Sequence, residues 1–181
     1  MKIINSFIAF TATIALFAIM PAKSVLAQEN PKLSDAEVAS VAVVANQIDI
    51  SYGEIAKKKS KNEDILKFAE TMISDHNAVI AQAAALAQKL AVTPKVNAVS
   101  QKLLADAEKT KKMLRSKSGK AFDKAYIDNE VAYHKAVIET VEGLLIPETD
   151  NGELKSLLQN VVPALKTHLE HAVMVQNKIS K

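Results

Sequence analysis

The chain has 181 residues, 23 basic side chains against 20 acidic ones, and neither cysteine nor tryptophan. That length suffices for one domain with its own core. The near-balanced charge, with no basic block interleaved with aromatics, argues against nucleic acid as a partner. Without cysteine there is no disulfide, no thiol nucleophile and no lipidated anchor, so stability must come from packing.

The first 27 residues read as a cleaved signal peptide. Lys2 gives a positive start, residues 7–20 form an apolar run, and Val25 and Ala27 supply small residues before a cleavage point. The run is shorter than the roughly 20 apolar residues a membrane span needs. Cleavage would leave residues 28–181 as a single exported domain with no transmembrane span, periplasmic or associated with the cell envelope. It would remove Lys2 and Lys23 and no acid, leaving a formal charge of +1.

The remaining sequence is poor in Gly and Pro and rich in Ala, Leu, Lys and Glu, which favours helix. Ser34 and Glu37 form a capping box, and a helical pattern runs from there to about residue 59. A polar turn follows, then a second helix over about 63–90, which Pro94 stops. Residues 96–115 predict a shorter helix with a weak apolar face. The "RSKSGK" segment interrupts it, and another helix covers about 121–145. Asp150 or Asn151 can cap the last helix, which reaches about residue 178. The expected architecture is all-α: a four-helix bundle with a long, helix-containing connection between its two hairpins.

Each long helix carries an apolar stripe at spacings of three and four, and each stripe has one polar break. The first reads Val38, Ala42, Ala45, Asp49, Tyr52, Ala56. The second reads Ile65, Ala69, Met72, His76, Val79, Ala83, Leu86, Leu90. The third is Ile127, Val131, His134, Ile138, Val141, Leu145, and the last is Leu154, Leu158, Val161, Leu165, His168, Ala172, Val175, Ile179. At about 1.5 Å per residue, Asp49 and His76 differ in height by ~4–5 Å along their hairpin, and His134 and His168 by ~6 Å. The four side chains can therefore converge.

Three imidazoles and a carboxylate are the usual ligand chemistry for iron, zinc, copper or manganese, and bundle cores commonly hold such sites. A ligating histidine needs an acceptor on its other nitrogen; Asp75, beside His76, and Glu130, one turn before His134, are the candidates. The competing reading is a non-enzymatic, envelope or stress-related interaction domain, in which the histidines form a structural or pH-sensitive network. His171 falls off the stripe centre and reads as a flank residue. Pro163 should kink the last helix near the cluster. Tyr52, Tyr126 and Tyr133 read as packing residues with a hydroxyl that reaches a partner. The four glycines make no phosphate-cradling loop, and no G-x-S-x-G elbow or H-E-x-x-H is present, so no reaction follows from the residues. A third reading makes the 96–115 helix a membrane-surface element. Protein partners are not readable, and a homo-oligomer stays open.

The segments "FAETMISDHNAV" (68–79), "FDKAYIDNEVAYHKAVI" (122–138) and "LLQNVVPALKTHLEHA" (157–172) resemble the signature segments of the DUF4142 family, as does "IDISYGEIAKKKSKNEDILKFA" (48–69). The resemblance implies an exported bacterial protein with a ferritin-like helical fold and an undefined function. It places His76, His134 and His168 at the family's histidine positions and Asp49 where the family more often has Glu. The chain lacks the paired Glu-x-x-His motifs of di-iron ferritin-like proteins, which argues against ferroxidase chemistry.

Overall fold

The computed structural model describes residues 32–180; the expected signal peptide lies outside them. Among the described residues the chain is all-α, with five long helices and no strand. None of these helices is long and apolar enough to cross a membrane.

Helix α1 spans Asp35–Lys59 and opens with the expected capping box, the Ser34 amide donating to Glu37 Oε2 at 3.0 Å. That contact, more than any other, holds the Glu37 carboxyl down to about 2. Helix α2, Glu63–Lys89, follows a three-residue turn in which Asn62 Oδ1 accepts from the amides of Asp64 and Ile65. Helix α3, Ala98–Arg115, is capped by Asn97. The loop before it is tied back to the start of α1: the Lys95 amide donates to the Ala36 carbonyl, and Asn97 Nδ2 to the Glu37 carbonyl.

Helix α4, Gly119–Thr140, runs on through a π turn, Val141–Leu145, and a last turn, Ile146–Glu148. The sequence gives no sign of that π turn. Helix α5, Gly152–Ile179, is capped by Asn151, one of the two expected residues, and continues through Pro163. Asp35 accepts from the amides of Asp150 and Asn151, which pins the α4–α5 loop to the start of α1.

The main packing pairs are α1 with α2 and α4 with α5, each joined by a short connection and so antiparallel. Helix α3 lies along α1, burying Ser100, Ala107 and Leu114, so part of its weak apolar face has a protein partner, while Leu104 and Met113 stay exposed. Because α1 meets α2, α3 and α4, its buried face is wider than one stripe: Val41, Ile48 and Ile55 are buried, while Ala42 and Ala45 are only half-buried.

Two apolar clusters result. One holds Ile65, Phe68, Ala69 and Met72 of α2 with Ile48, Tyr52, Tyr126, Ile127 and Val175. The other holds Val38, Val41, Ile138, Leu145, Leu154, Leu158 and Leu165, and no fully buried residue of α2. The expected α2 stripe is therefore core only as far as His76. Beyond it, Val79, Ala83, Leu86 and Leu90 are half-buried and face a cavity.

Candidate metal centre

The four polar breaks converge. Asp49 from α1, His76 from α2, His134 from α4 and His168 from α5 are all buried, 0–7% exposed, and all line one cavity. The ring centroids of His76 and His134 lie 5.9 Å apart, of His76 and His168 5.3 Å, and of His134 and His168 5.6 Å. One nitrogen from each ring lies within 4.8 Å of the others. Asp49, Glu130 and His134 form a second such group, sharing His134 with the first. Asp49 Oδ2 is 3.3 Å from His76 Nε2 and 3.5 Å from His134 Nε2, yet it hydrogen-bonds to neither.

Each ring is held from outside by an acceptor. His76 Nδ1 is 2.6 Å from Asn46 Oδ1, one turn before Asp49 on α1. His134 Nδ1 donates to the Glu130 carbonyl oxygen at 3.0 Å, its own helix supplying the acceptor. His168 Nε2 donates to Asp75 Oδ2 at 3.1 Å. An oxygen acceptor on one ring nitrogen fixes the proton there and leaves the other nitrogen with a bare lone pair. Those other nitrogens, His76 Nε2, His134 Nε2 and His168 Nδ1, are buried and have no hydrogen-bond partner among the described residues.

Burial sets the charge of the layer. It pushes the Glu130 carboxyl well above its usual value, with the Asp49 carboxylate adding to the shift, so burial favours its protonated form. It also lowers His134 and His168, which stay neutral. Tyr126, fully buried beside the layer, has its phenol pushed well up, first by burial and then by Glu130. The layer thus presents lone pairs and one carboxylate, and almost no donors.

The family model for DUF4142, a domain of unknown function, matches residues 20–175. The chain belongs to the DUF4142 family. Two solved structures share the fold of this DUF4142 chain at low identity. One is a DUF305 protein from Streptomyces coelicolor described as a candidate secreted protein, 13% identical over 81% of this chain and 93% of its own, TM-score 0.68. The other is CopM in its Cu(II)-bound form, 13% identical over 81% of this chain and 98% of its own, TM-score 0.60. No curated protein matches the sequence.

In this DUF4142 chain the two supporting carboxylates do not serve as their sequence positions suggest. Asp75 reaches across to His168 rather than holding its neighbour His76. Glu130 supports His134 through its backbone, while its carboxylate lies fully buried 3.6 Å from the same ring. Asn46 is absent from the sequence reading; its spacing of three from Asp49 was the available signal. His171 stays outside the layer, its ring edge-on to Phe68 at 5.1 Å. Tyr133 Oη donates to the Ala45 carbonyl, whereas the Tyr126 hydroxyl has no partner among the described residues.

Proposed function

We propose that this chain is an exported metal-binding protein whose mature domain, residues 28–181, holds a transition-metal ion in the layer of Asp49, His76, His134 and His168. One observation carries the reading: three buried imidazoles, with one nitrogen of each within 4.8 Å of the others, are each fixed by an outer acceptor that leaves the second nitrogen unpaired. Asn46, the Glu130 carbonyl and Asp75 orient the rings and set their tautomers. Asp49 supplies the negative charge that favours a cation, and burial disfavours a second charge on the adjacent Glu130 carboxyl.

Distance supports the same reading. Ligands about 2.1 Å from a four-coordinate ion stand about 3.4 Å from each other, close to the 3.3 and 3.5 Å between Asp49 and its two imidazoles. A purely structural network would pair these atoms instead. Seven side-chain atoms of Asp49, Glu130 and the three histidines have no partner. At about 1–3 kcal/mol for each unsatisfied group, they cost as much as the ~5–15 kcal/mol that stabilises a whole domain. An ion offsets that cost for the atoms it binds.

Cu(II) is the first ion to test, because the similarly folded CopM is solved with it bound. The test is elemental analysis of untagged protein purified from its export compartment, beside a His76→Ala/His134→Ala variant. We expect near-stoichiometric metal in the wild type and none in the variant. Wild type that is metal-free, and that added copper, zinc, iron or manganese fails to stabilise, would overturn the proposal.

A further inference from the structure

The histidine layer is one end of a much larger space. The cavity has a volume of about 830 Å³ and is lined by all five long helices, the second half of α2 and the first half of α5 among them. That is within the ~300–1,000 Å³ of pockets that enclose small molecules. From His76 to Leu90, both on its wall, it follows α2 for roughly 21 Å at the helical rise per residue. Val79, Ala83 and Leu86 of α2 and Leu158, Val161 and Leu165 of α5 contribute to its apolar wall.

Protein interiors are normally close-packed. Here α2 meets the cavity with small side chains, Ala83, Ala84 and Ala87, and has no buried residue after His76. The wall between its ends is mostly apolar, with Gln82 and Thr140 among the few polar side chains along it. At one end lie the buried, unpartnered atoms of Asp49 and the three histidines; at the other Gln88 and Asn151 stand near the helix termini. An elongated apolar wall closed by a single buried polar layer is complementary to an amphiphile with one polar head and one chain.

The sign of the head follows from the layer. On the metal reading above, on which this step rests, a divalent ion among three neutral imidazoles and one carboxylate leaves net positive charge. An anionic oxygen ligand complements it, whereas the all-acceptor layer without the ion repels one. We propose that the cavity binds a long-chain carboxylate, with its acyl chain between α2 and α5 and its head group at the histidine layer.

The test is calorimetric titration of laurate into wild-type protein whose metal content has been measured in the same sample. Metal-loaded protein should bind laurate saturably, one per chain, and metal-free protein at least tenfold more weakly. Ala83→Phe and, as a second variant in case the first misfolds, Ala87→Met fill the chain's path without touching the layer. Each should weaken laurate binding tenfold or more while leaving the metal stoichiometry unchanged, with folding checked by circular dichroism. Metal-loaded protein that takes no laurate overturns this inference and leaves the metal site standing. Protein that takes no metal overturns the metal reading and, with it, this one. Laurate affinity unchanged by both cavity-filling variants, or dodecylamine binding the metal-free protein more tightly than laurate binds the loaded one, also overturns it.

Discussion

Asp75 Oδ2 accepts a hydrogen bond from His168 Nε2, 3.1 Å away across the packing of α2 on α5, although Asp75 adjoins His76 in sequence. The Asp75 side chain is 50% exposed and that of His168 only 9%. A surface carboxylate thus fixes the tautomer of a buried ring. Removing it should loosen the ring rather than the fold. We expect Asp75→Ala to lower metal affinity about 10–100-fold, read by competition against a chelator, with the thermal midpoint of the metal-free protein nearly unchanged. Equal affinity in the two proteins would make the pair a surface contact without influence on the site.

Asn46 does the same for His76 from inside the protein, and the outcome should differ. Its Oδ1 is 2.6 Å from His76 Nδ1, while its Nδ2 donates to the Ala42 carbonyl. Asn46→Ala leaves a buried imidazole N–H without an acceptor. That should destabilise the metal-free protein by about 1–3 kcal/mol, in addition to weakening metal binding. Urea denaturation measures the first effect independently of the second. A variant as stable as wild type would show that His76 finds another acceptor.

Much of the site is legible in the sequence, because a histidine on an apolar helical stripe is a local contradiction. Four polar breaks at matching heights, three histidines and one aspartate, leave few ways for the helices to pack. His76, His134, His168 and Asp49 follow from period and length alone. What holds those rings is less legible. The partner of His168 is 93 residues away, and Asn46 lies 30 residues from His76. The α2 stripe also misleads. Its apolar period continues to Leu90, but the stripe residues after His76 are only half-buried and line a cavity, so the period describes a cavity wall as readily as a core. The π turn at Val141–Leu145 has no local signature in the residues that form it.

The buried layer predicts a stability optimum for the metal-free protein. Burial lowers His134 and His168 from 6.5, so their contribution is complete above that pH. It is lost as the pH falls through their folded-state values, because the unfolded chain then binds more protons. Glu130 acts in the opposite sense. Its raised carboxyl keeps a proton that the unfolded chain releases above about 4.5, so its contribution declines as the pH rises from there. Below pH 6.5 the two histidines and Glu130 act in opposite senses, and above it the histidines no longer change stability. Urea midpoints measured from pH 5 to 8 should therefore pass through a maximum, with the histidines responsible for the fall on the acid side and Glu130 for the fall on the alkaline side. Glu130→Gln should abolish the decline on the alkaline side. A wild-type midpoint that keeps rising to pH 8 would show that Glu130 is already ionised in the fold.

Gly53 sits one turn beyond Asp49 on α1, where α1 and α2 approach closely. A Cβ built on it would lie 2.9 Å from Ile73 Cγ1 and 3.2 Å from the Ala69 carbonyl oxygen. The Ile73 side chain is half-buried and can turn aside. The carbonyl belongs to the α2 backbone and can yield only if the helices separate. Replacing glycine by alanine inside a helix ordinarily gains up to about 1 kcal/mol, while overpacking a close contact costs about 1–3 kcal/mol. Here the second effect should win, leaving Gly53→Ala less stable than wild type in guanidinium denaturation. The same separation would draw Asp49 away from His76, now 3.3 Å apart, so metal affinity should fall along with stability. A Gly53→Ala protein with raised stability and full metal affinity would show that Ile73 alone absorbs the added methyl group and that the interhelical spacing does not position the site.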